Sequence, residues 1–444
     1  MKNITLTFWS FFLLLTGLWL LTGSFPPETI AVFSLRDGLV QYTGIIGIGM
    51  MSLAMILAAR PRFMEAPLHG LDKLYRLHKW LGIGGLVFAV THWLWAQGVK
   101  WLVGWGLLAR PERHRQASAE TLGTVEAFFR SQRHLAESVG EWALYAAALL
   151  IVIALVKSIP YHHFAKVHKL LAIVFLVLVA HSVVLMKFAF WTQPVGIVMG
   201  LLMAGGTVGA VMSLFGLIGA GRKVKGRIES LIYYPELRVL ETAIKLEDGW
   251  DGHRAGQFAF VTSDRKEGAH PYTIASSWEG DGHIVFITKA LGDHTARLRE
   301  RLKVGDEVRV EGPYGCFTFL DRNQRQIWVG AGIGITPFIA RLKELAAKPE
   351  QTTIDLFHTT ADYDEAAIEK LKADAEAAHV RLHLLVDRKD GRLSAERIKQ
   401  AVPEWEEAGI WFCGPAGFGG ALRKDLLASG LSPDAFHQEL FQLR

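Results

Sequence analysis

The segment Leu71-Asp-Lys-Leu-Tyr-Arg-Leu-His78-Lys-Trp-Leu-Gly-Ile-Gly-Gly-Leu-Val-Phe-Ala-Val-Thr-His92 is an apolar helical run that carries two histidines fourteen residues apart. A second run, His168-Lys-Leu-Leu-Ala-Ile-Val-Phe-Leu-Val-Leu-Val-Ala-His181, repeats the theme at a spacing of thirteen. Ionisable side chains inside a hydrocarbon-length segment are costly and mark function by default. At 1.5 Å per residue each spacing spans about 20 Å. That sets one histidine of each helix near either face of a bilayer about 30 Å thick. Helices offering imidazoles at two matched depths suit two haems stacked across a membrane, each iron taking one axial ligand from either helix. A lone histidine in such a helix is more often a polar contact between helices, but four at matched depths favour ligation. The spacing of thirteen raises a geometric difficulty. Fourteen residues return to nearly the same helix face, whereas thirteen leave His168 and His181 about 140° apart. The second helix must bend, carry a bulge or present its haems on different sides.

The length of 444 residues fits two to three domains. Long apolar runs fall almost entirely before about residue 221, and charged residues crowd the remainder of the chain. The pattern predicts six membrane spans: Phe8–Thr22, Leu39–Ala59, about Leu77–Gln97, Glu141–Val156, His168–Ala189 and Val195–Leu217. The first resembles a signal peptide after Lys2, but no small-residue cleavage site precedes Pro26-Pro27, so a retained helix is expected.

Basic residues in the short loops fix an orientation. Arg60, Arg62, Lys73, Arg76 and Lys79 lie between the second and third spans, and Lys157, Lys166 and Lys169 between the fourth and fifth. Arg222, Lys223 and Lys225 follow the sixth. All fall on one side if the N-terminus and the soluble half are cytoplasmic. The connection over about 98–140, with Arg110, Arg113, Arg115, Arg130 and Arg133, then faces outward. It counts less because of its length. His78 and His168 form the inner pair, and His92 and His181 the outer.

The net charge of +5 belongs largely to these loops, and no zinc spacing or basic helix points to nucleic acid. Two cysteines, Cys316 and Cys413, exclude a disulfide framework and fit a reducing compartment.

From about Gly226 the pattern changes to short alternating strands at Ile228–Tyr233, Val239–Lys245, Phe258–Thr262, Ile284–Thr288 and Val308–Val310, as in a small antiparallel barrel. Within it, His270-Pro-Tyr-Thr-Ile-Ala-Ser-Ser277 offers an aromatic ring, hydroxyls and a cation-capable histidine, a set suited to an isoalloxazine and a pyrophosphate. Gly292-Asp-His-Thr295 opens a helical run whose free N–H groups suit a phosphate. Next come a buried strand, a glycine-rich turn and a helix in Gln326-Ile-Trp-Val-Gly-Ala-Gly-Ile-Gly-Ile-Thr-Pro337. Gly330, Gly332 and Gly334 let the backbone approach a pyrophosphate. Strands at Thr353–His358, Arg381–Val386 and Gly409–Cys413 complete an alternating β/α layout, with Cys413 at a strand's carboxyl end, where such sheets bind ligands.

Taken together, these motifs resemble the ferric reductase and NADPH oxidase superfamily in a short bacterial form. Leu71-Asp-Lys, Leu77-His78-Lys79 and His92 are similar to the family's third helix. His168 and His181 are similar to its fifth, the asymmetric spacing included. His270-Pro-Tyr-Thr273 resembles the flavin motif. Gly330-Ala-Gly-Ile-Gly-Ile-Thr-Pro337 and Phe412-Cys-Gly-Pro415 resemble the nucleotide motifs of ferredoxin-reductase-like modules.

The resemblance implies three domains: a helical transmembrane haem domain over 1–221, an FAD-binding β-barrel over 222–322 and an NAD(P)H-binding α/β domain over 323–444. The cofactors would be FAD, two b-type haems, and NADPH or NADH. Tyr272, Thr273, Cys413 and Phe441 become catalytic candidates, with Phe441 preferred to Phe436 as the aromatic that covers the flavin. His270, Pro271, Ser276, Gly292, Thr295, Gly330, Gly332, Gly334, Thr336, Pro337, Gly414 and Pro415 become cofactor-binding candidates. His78/His168 and His92/His181 become the haem ligands.

The implied activity is electron transfer from cytoplasmic NAD(P)H through FAD and both haems to an outer acceptor. The acceptor would be dioxygen, giving superoxide, or alternatively a ferric chelate, a quinone or a partner protein. The implied location is a bacterial inner membrane, in a lipid bilayer, with no nucleic acid and no obligatory protein activator. No EF-hand loop or proline-rich docking segment occurs. The animal oxidases carry a further histidine one turn beyond the outer ligand, where this chain has Ala96, which weakens a dedicated oxygen pocket. Arg36, at the outer start of the second span, is a candidate for an acceptor, a haem propionate or an interfacial anchor. A sensing module without turnover is a competing class, against which the intact flavin and nucleotide motifs argue. Nucleotide choice stays open. Thr359-Thr360-Ala-Asp362 offers no immediate arginine for a 2′-phosphate, and Arg388 and Lys389 stand after the next strand.

Overall fold

The computed structural model describes residues 2–27, 31–109, 123–156, 161–264, 267–321 and 323–439. Its contacts divide the chain into Met1–Leu68 with Lys73–Ile218, and Gly219–Leu443 with His69–Asp72.

The first unit is helical: α1 Lys2–Leu20, α2 Val32–Ala58, the short α3 Arg62–Glu65, α4 Leu71–Gly104, α5 Thr124–Leu155, α6 Tyr161–Leu185 and α7 Pro194–Leu214. Leu15, Met50, Leu57 and Phe175 are fully buried inside, while Leu149, Leu201 and Val208 are exposed on the outside. Water would penalise that outer surface and hydrocarbon accepts it, and a helix satisfies its own backbone there. Among the described residues, five helices are long and apolar enough to cross a membrane: α1, α2, α5, α6 and α7. The remaining long helix, α4, falls outside that set: even its stretch over 80–97, free of Lys, Arg, Asp and Glu, is diluted by His92, Gln97, three tryptophans and three glycines.

The connection over 98–140 departs from expectation. Instead of a long loop, α4 continues to Gly104 and α5 begins at Thr124. The amphipathic start of α5 is held by ion pairs one turn apart, Arg130 to Glu126 at 3.2 Å and Arg133 to Glu137 at 3.0 Å. Arg110, Arg113 and Arg115 lie outside the described residues.

The second unit carries two sheets. Strands β1 Lys223–Tyr234, β2 Val239–Leu246, β3 Phe258–Thr262, β4 His270–Thr273, β5 His283–Lys289 and β6 Glu307–Tyr314 join in the order β4-β3-β6-β1-β2-β5. A bridge from Ile274 to Phe286 brings the end of β4 to β5, so the sheet curls toward closure. Burial alternates along β1 and β5, and Val224, Ile228, Ile244, Phe286 and Val310 fill the interior. The flavin-like motif itself forms β4, an edge strand, the position where Pro271 costs no ladder bond. Helix α8, Asp293–Arg301, follows β5.

The α/β layer comprises β7 Arg325–Ala331, α9 Thr336–Ala347, β8 Thr353–Thr360, α10 Glu365–Ala377, β9 Arg381–Val386, α11 Asp387–Asp390, α12 Ala395–Ala401, β10 Gly409–Cys413, α13 Ala416–Ala428 and β11 Phe436–Gln438. The strands pair in parallel in the order β11-β10-β7-β8-β9. Connections leave β7 toward β8 on one side and reach β10 on the other, so the crevice of the switch point opens at the carboxyl ends of β7 and β10. β11 is an addition to the expected strands. It places Phe436 in the core beside Phe412, ring centres 6.4 Å apart, and not at a surface. Phe441 lies outside the described residues.

Candidate functional site

Each histidine of α4 faces one of α6 at the same depth. The ring centres of His78 and His168 are 5.9 Å apart, and those of His92 and His181 are 6.2 Å apart. Two imidazoles held opposite one another on one metal through bonds of about 2 Å place their ring centres about 6 Å apart. The hydrogen bonds behind three of the rings set the same tautomer. A backbone carbonyl can only accept, so His78 Nδ1 donates to Ala54 O at 2.8 Å. His92 Nδ1 donates to Val40 O at 2.9 Å, and His181 Nδ1 to Ala136 O at 2.8 Å. In each neutral ring Nε2 therefore keeps its lone pair, as a metal ligand requires. His168 differs. It stacks on Phe164 at 5.1 Å, and its buried Nδ1 has no hydrogen-bond partner among the described residues. Helix α6 runs unbroken from Tyr161 to Leu185 without a π-turn. His181 is anchored from α5 by Ala136, and His168 rests on Phe164 of its own helix.

A cavity of about 580 Å³ contains the outer pair. That volume is within the usual range for a bound cofactor. Leu86, Leu144, Ile151, Met199 and Met203 line its apolar part, and Arg36, Lys100, Arg130, Arg133 and Lys187 contribute cations. Arg36 donates to Asp37 Oδ1 at 3.0 Å and to the carbonyl of Ala96 at 3.2 Å, so it ties α2 to the turn beyond His92. Glu141 escaped the sequence reading, where it only opened a span. Its carboxylate accepts from Trp93 Nε1 at 2.9 Å, Tyr145 Oη at 2.7 Å and Gln97 Nε2 at 3.3 Å.

Gly140 carries His181 against α5, since a Cβ there would overlap the imidazole at Nδ1. Gly140→Val is expected to displace His181 from its place opposite His92, and with it any haem that the two rings hold. Haem counted per chain in purified protein checks this, and a full complement would contradict it.

In the barrel, β4 holds His270, Pro271, Tyr272 and Thr273 side by side, with Tyr272 opposite Ala259 and Thr273 opposite Phe258. The rings of His270 and His294 are stacked at 3.6 Å and 8°, and His294 Nε2 lies 2.9 Å from the Tyr272 hydroxyl. Burial lowers the His270 pKa to about 4, His294 adding to the effect, and burial pushes the Tyr272 phenol up. Both are neutral near pH 7. Two of the candidate hydroxyls also make local hydrogen bonds. Thr295 Oγ1 accepts the N–H of Leu291 at 3.0 Å and of Gly292 at 3.1 Å, capping α8. Ser276 Oγ accepts the N–H of Val285 at 3.1 Å.

At the switch point, Cys413 pairs with Gly330 across β10 and β7. Gly332 has φ 57°, open to glycine, and a Cβ on Gly334 would overlap the carbonyl of Cys413. Thr336 Oγ1 donates to Ile333 O at 2.8 Å, and buried Pro337 starts α9. Gly414 and Pro415 lead into α13. The crevice residues of both nucleotide-like motifs thus meet at one place. Glu439 was overlooked in the sequence. It is buried, a Cβ on Gly315 would lie 3.5 Å from its Oε1, and its charge acts on Cys413. Burial, then Glu439, raises the Cys413 thiol well above its ordinary value, whereas Cys316 is exposed. A thiol reagent at pH 8 is therefore expected to label Cys316 readily and Cys413 only after denaturation. Equal labelling rates would contradict that burial. Asp362, just beyond β8, is paired with Lys289 at 2.7 Å, and Lys389 lies over the Tyr363 ring at 5.6 Å.

A helical membrane unit with facing histidine pairs, joined to a flavin barrel and a parallel nucleotide sheet, defines a class of transmembrane flavin-dependent oxidoreductases. Residues 43–179 match the ferric reductase like transmembrane component, and residues 225–318 match an FAD-binding domain. The chain has the architecture of the ferric reductases and NADPH oxidases. The vanillate O-demethylase oxidoreductase of a Pseudomonas species is 31% identical over 145 residues, 32% of this chain and 44% of that protein. The NADPH oxidoreductase of Mycobacterium tuberculosis is 32% identical over 178 residues, 38% of this chain and 47% of that protein. The flavohemoprotein of Pseudomonas aeruginosa is 25% identical over 189 residues, 40% and 48% respectively. The chain spans less than half the length of these relatives. A solved flavohem-like FAD/NAD-binding domain of nitric oxide dioxygenase from Vibrio cholerae overlaps 50% of this chain and 98% of its own, at 20% identity and TM-score 0.43.

Proposed function

We propose that this chain moves electrons from cytoplasmic NAD(P)H, through FAD and two b-type haems held by His78/His168 and His92/His181, to dioxygen at the outer face of a bacterial inner membrane, releasing superoxide. The two histidine pairs, with ring centres 5.9 and 6.2 Å apart at two depths, carry this reading. A flavin held in the barrel would accept one hydride, two electrons together, and release them singly, and haems held by the histidine pairs would carry them one at a time.

The chain's own residues supply placement. Ala54, Val40 and Ala136 hold three imidazoles with Nε2 free. Tyr272 and Thr273 hold the flavin ring on the edge strand. The turn open at Gly332, with Gly330 and Gly334 packed closely behind it, receives the nucleotide's phosphates at the switch point. Cys413 and Glu439 border the hydride-transfer locus, where burial excludes water and keeps the thiol protonated. Positive charge in the loops Arg60–Lys79 and Arg222–Lys225 keeps the N-terminus and the flavin unit cytoplasmic.

The apolar lining of the outer cavity admits small neutral dioxygen. A ferric chelate is the second reading; the five cations of that lining, set against the carboxylates of Asp37, Glu126, Glu137 and Glu141, leave it a net charge of +1 toward a polyanion. Stopped-flow mixing of the NADPH-reduced, FAD-loaded protein with air-saturated buffer or with anaerobic ferric citrate separates them. Fast haem reoxidation by oxygen is expected, and reoxidation by ferric citrate alone would make the chain a metal reductase.

A further inference from the structure

β8 is buried from Ile354 to Thr360, and its side chains alternate between the two faces of the sheet. Ile354 and Leu356 join the core beneath α9 and α10, which puts His358 on that face too. An imidazole buried there is costly unless its polar atoms are used. His358 Nδ1 lies 3.0 Å from the carbonyl oxygen of Gly330, its ladder partner on β7. A carbonyl only accepts, so Nδ1 carries the proton. Burial lowers the imidazole pKa to about 4, so the ring is neutral near pH 7. Its other edge lines a crevice of about 90 Å³ beside Val239 and Lys289 of the barrel. That volume is far below the usual range for a bound cofactor, so the role of the ring lies with the carbonyl it holds.

Three elements meet at Gly330. Its ladder partners are His358 on β8 and Cys413 on β10. A Cβ on it would lie 3.0 Å from Ile335 Cα and 3.2 Å from Phe338 Cδ2, so the start of α9 packs directly on its backbone. One residue later the chain leaves the sheet and turns through Gly332. Backbone groups where a strand leaves its sheet need partners from elsewhere, and His358 supplies one from its side chain.

We propose that His358 is a positioning residue for hydride transfer: its hydrogen bond to the Gly330 carbonyl fixes the end of β7 against Cys413, and so sets where a bound nucleotide presents its hydride. This rests on the nucleotide occupying the switch-point crevice. Phosphate binding draws on the backbone of the turn, whereas hydride transfer depends on placement to within about 1 Å. Loss of the bond therefore slows flavin reduction more than it weakens nucleotide binding.

The test follows flavin reduction in the FAD-loaded full chain in detergent, by anaerobic stopped flow over a range of NADPH concentrations. The concentration dependence separates the limiting rate from the half-saturating concentration. His358→Leu removes the donor. It is expected to lower the limiting rate by about tenfold or more, with half-saturation within about threefold of the unaltered chain. His358→Asn places an amide N–H near the position of Nδ1 and is expected to stay within about threefold on both measures. His358→Gln carries the same amide one methylene further out, past the carbonyl, and is expected to be as slow as the Leu variant. A Leu variant with the unaltered limiting rate overturns the proposal, whatever its half-saturation. If the Leu variant does not fold, equal limiting rates in the Asn and Gln variants overturn it instead. An unaltered chain whose flavin neither NADPH nor NADH reduces would sink the nucleotide reading beneath it.

Discussion

Replacing His92 or His181 with alanine is expected to lower the haem content from two per chain to one, while NAD(P)H still reduces the flavin. Each ring is held by a carbonyl behind it, His92 by Val40 and His181 by Ala136, so neither has another use for its Nε2. The partner imidazole alone, 6.2 Å away across the pair, would leave a haem held there with one histidine where the site offers two. The inner pair draws on different backbone, with His78 on Ala54, and is expected to keep its haem. Transfer to the outer acceptor falls to background. Haem assay and flavin reduction kinetics on the same preparation check both halves. Two haems in either variant would contradict the ligand assignment.

The second large effect is expected at the opposite end of the electron path. In Gly334→Ala the new Cβ overlaps the carbonyl of Cys413 and comes within 2.9 Å of the backbone nitrogen of Gly414. Backbone cannot yield as a flexible side chain does, so the carboxyl ends of β7 and β10 must separate. A displacement of about 1 Å at a hydride-transfer site costs on the order of a hundredfold in rate. Flavin reduction by NADPH is expected to slow by about that factor, while haem content and chemical reduction by dithionite are unchanged. Flavin reduction at the unaltered rate would show that the nucleotide does not use this crevice.

Much of this fold was legible because its periodicities are strong. Phe258–Thr262, Arg381–Val386 and Gly409–Cys413 coincide with the strands observed, each bounded by turn residues that punctuate the pattern. The four histidines stood out because a polar ring in an apolar helix is costly and seldom kept without a role. What stayed hidden depends on contacts distant in sequence. Nothing local distinguishes Gly140 from any helical glycine until His181, from another helix, rests on it. Glu141 reads as a helix-end charge until Trp93 and Gln97 of α4 donate to it. The helical extension of α5 was masked by charges that usually mark a loop, although their spacing of four is a helix's own.

The central claim is that one chain carries electrons from a nicotinamide to haem. Anaerobic mixing of the FAD-loaded full chain with NADPH, followed in the haem Soret band, tests it most directly. The expected result is reduction of two b-type haems per chain to the extent reached with dithionite. Absence of a haem band, or haem that only dithionite reduces, would contradict the account.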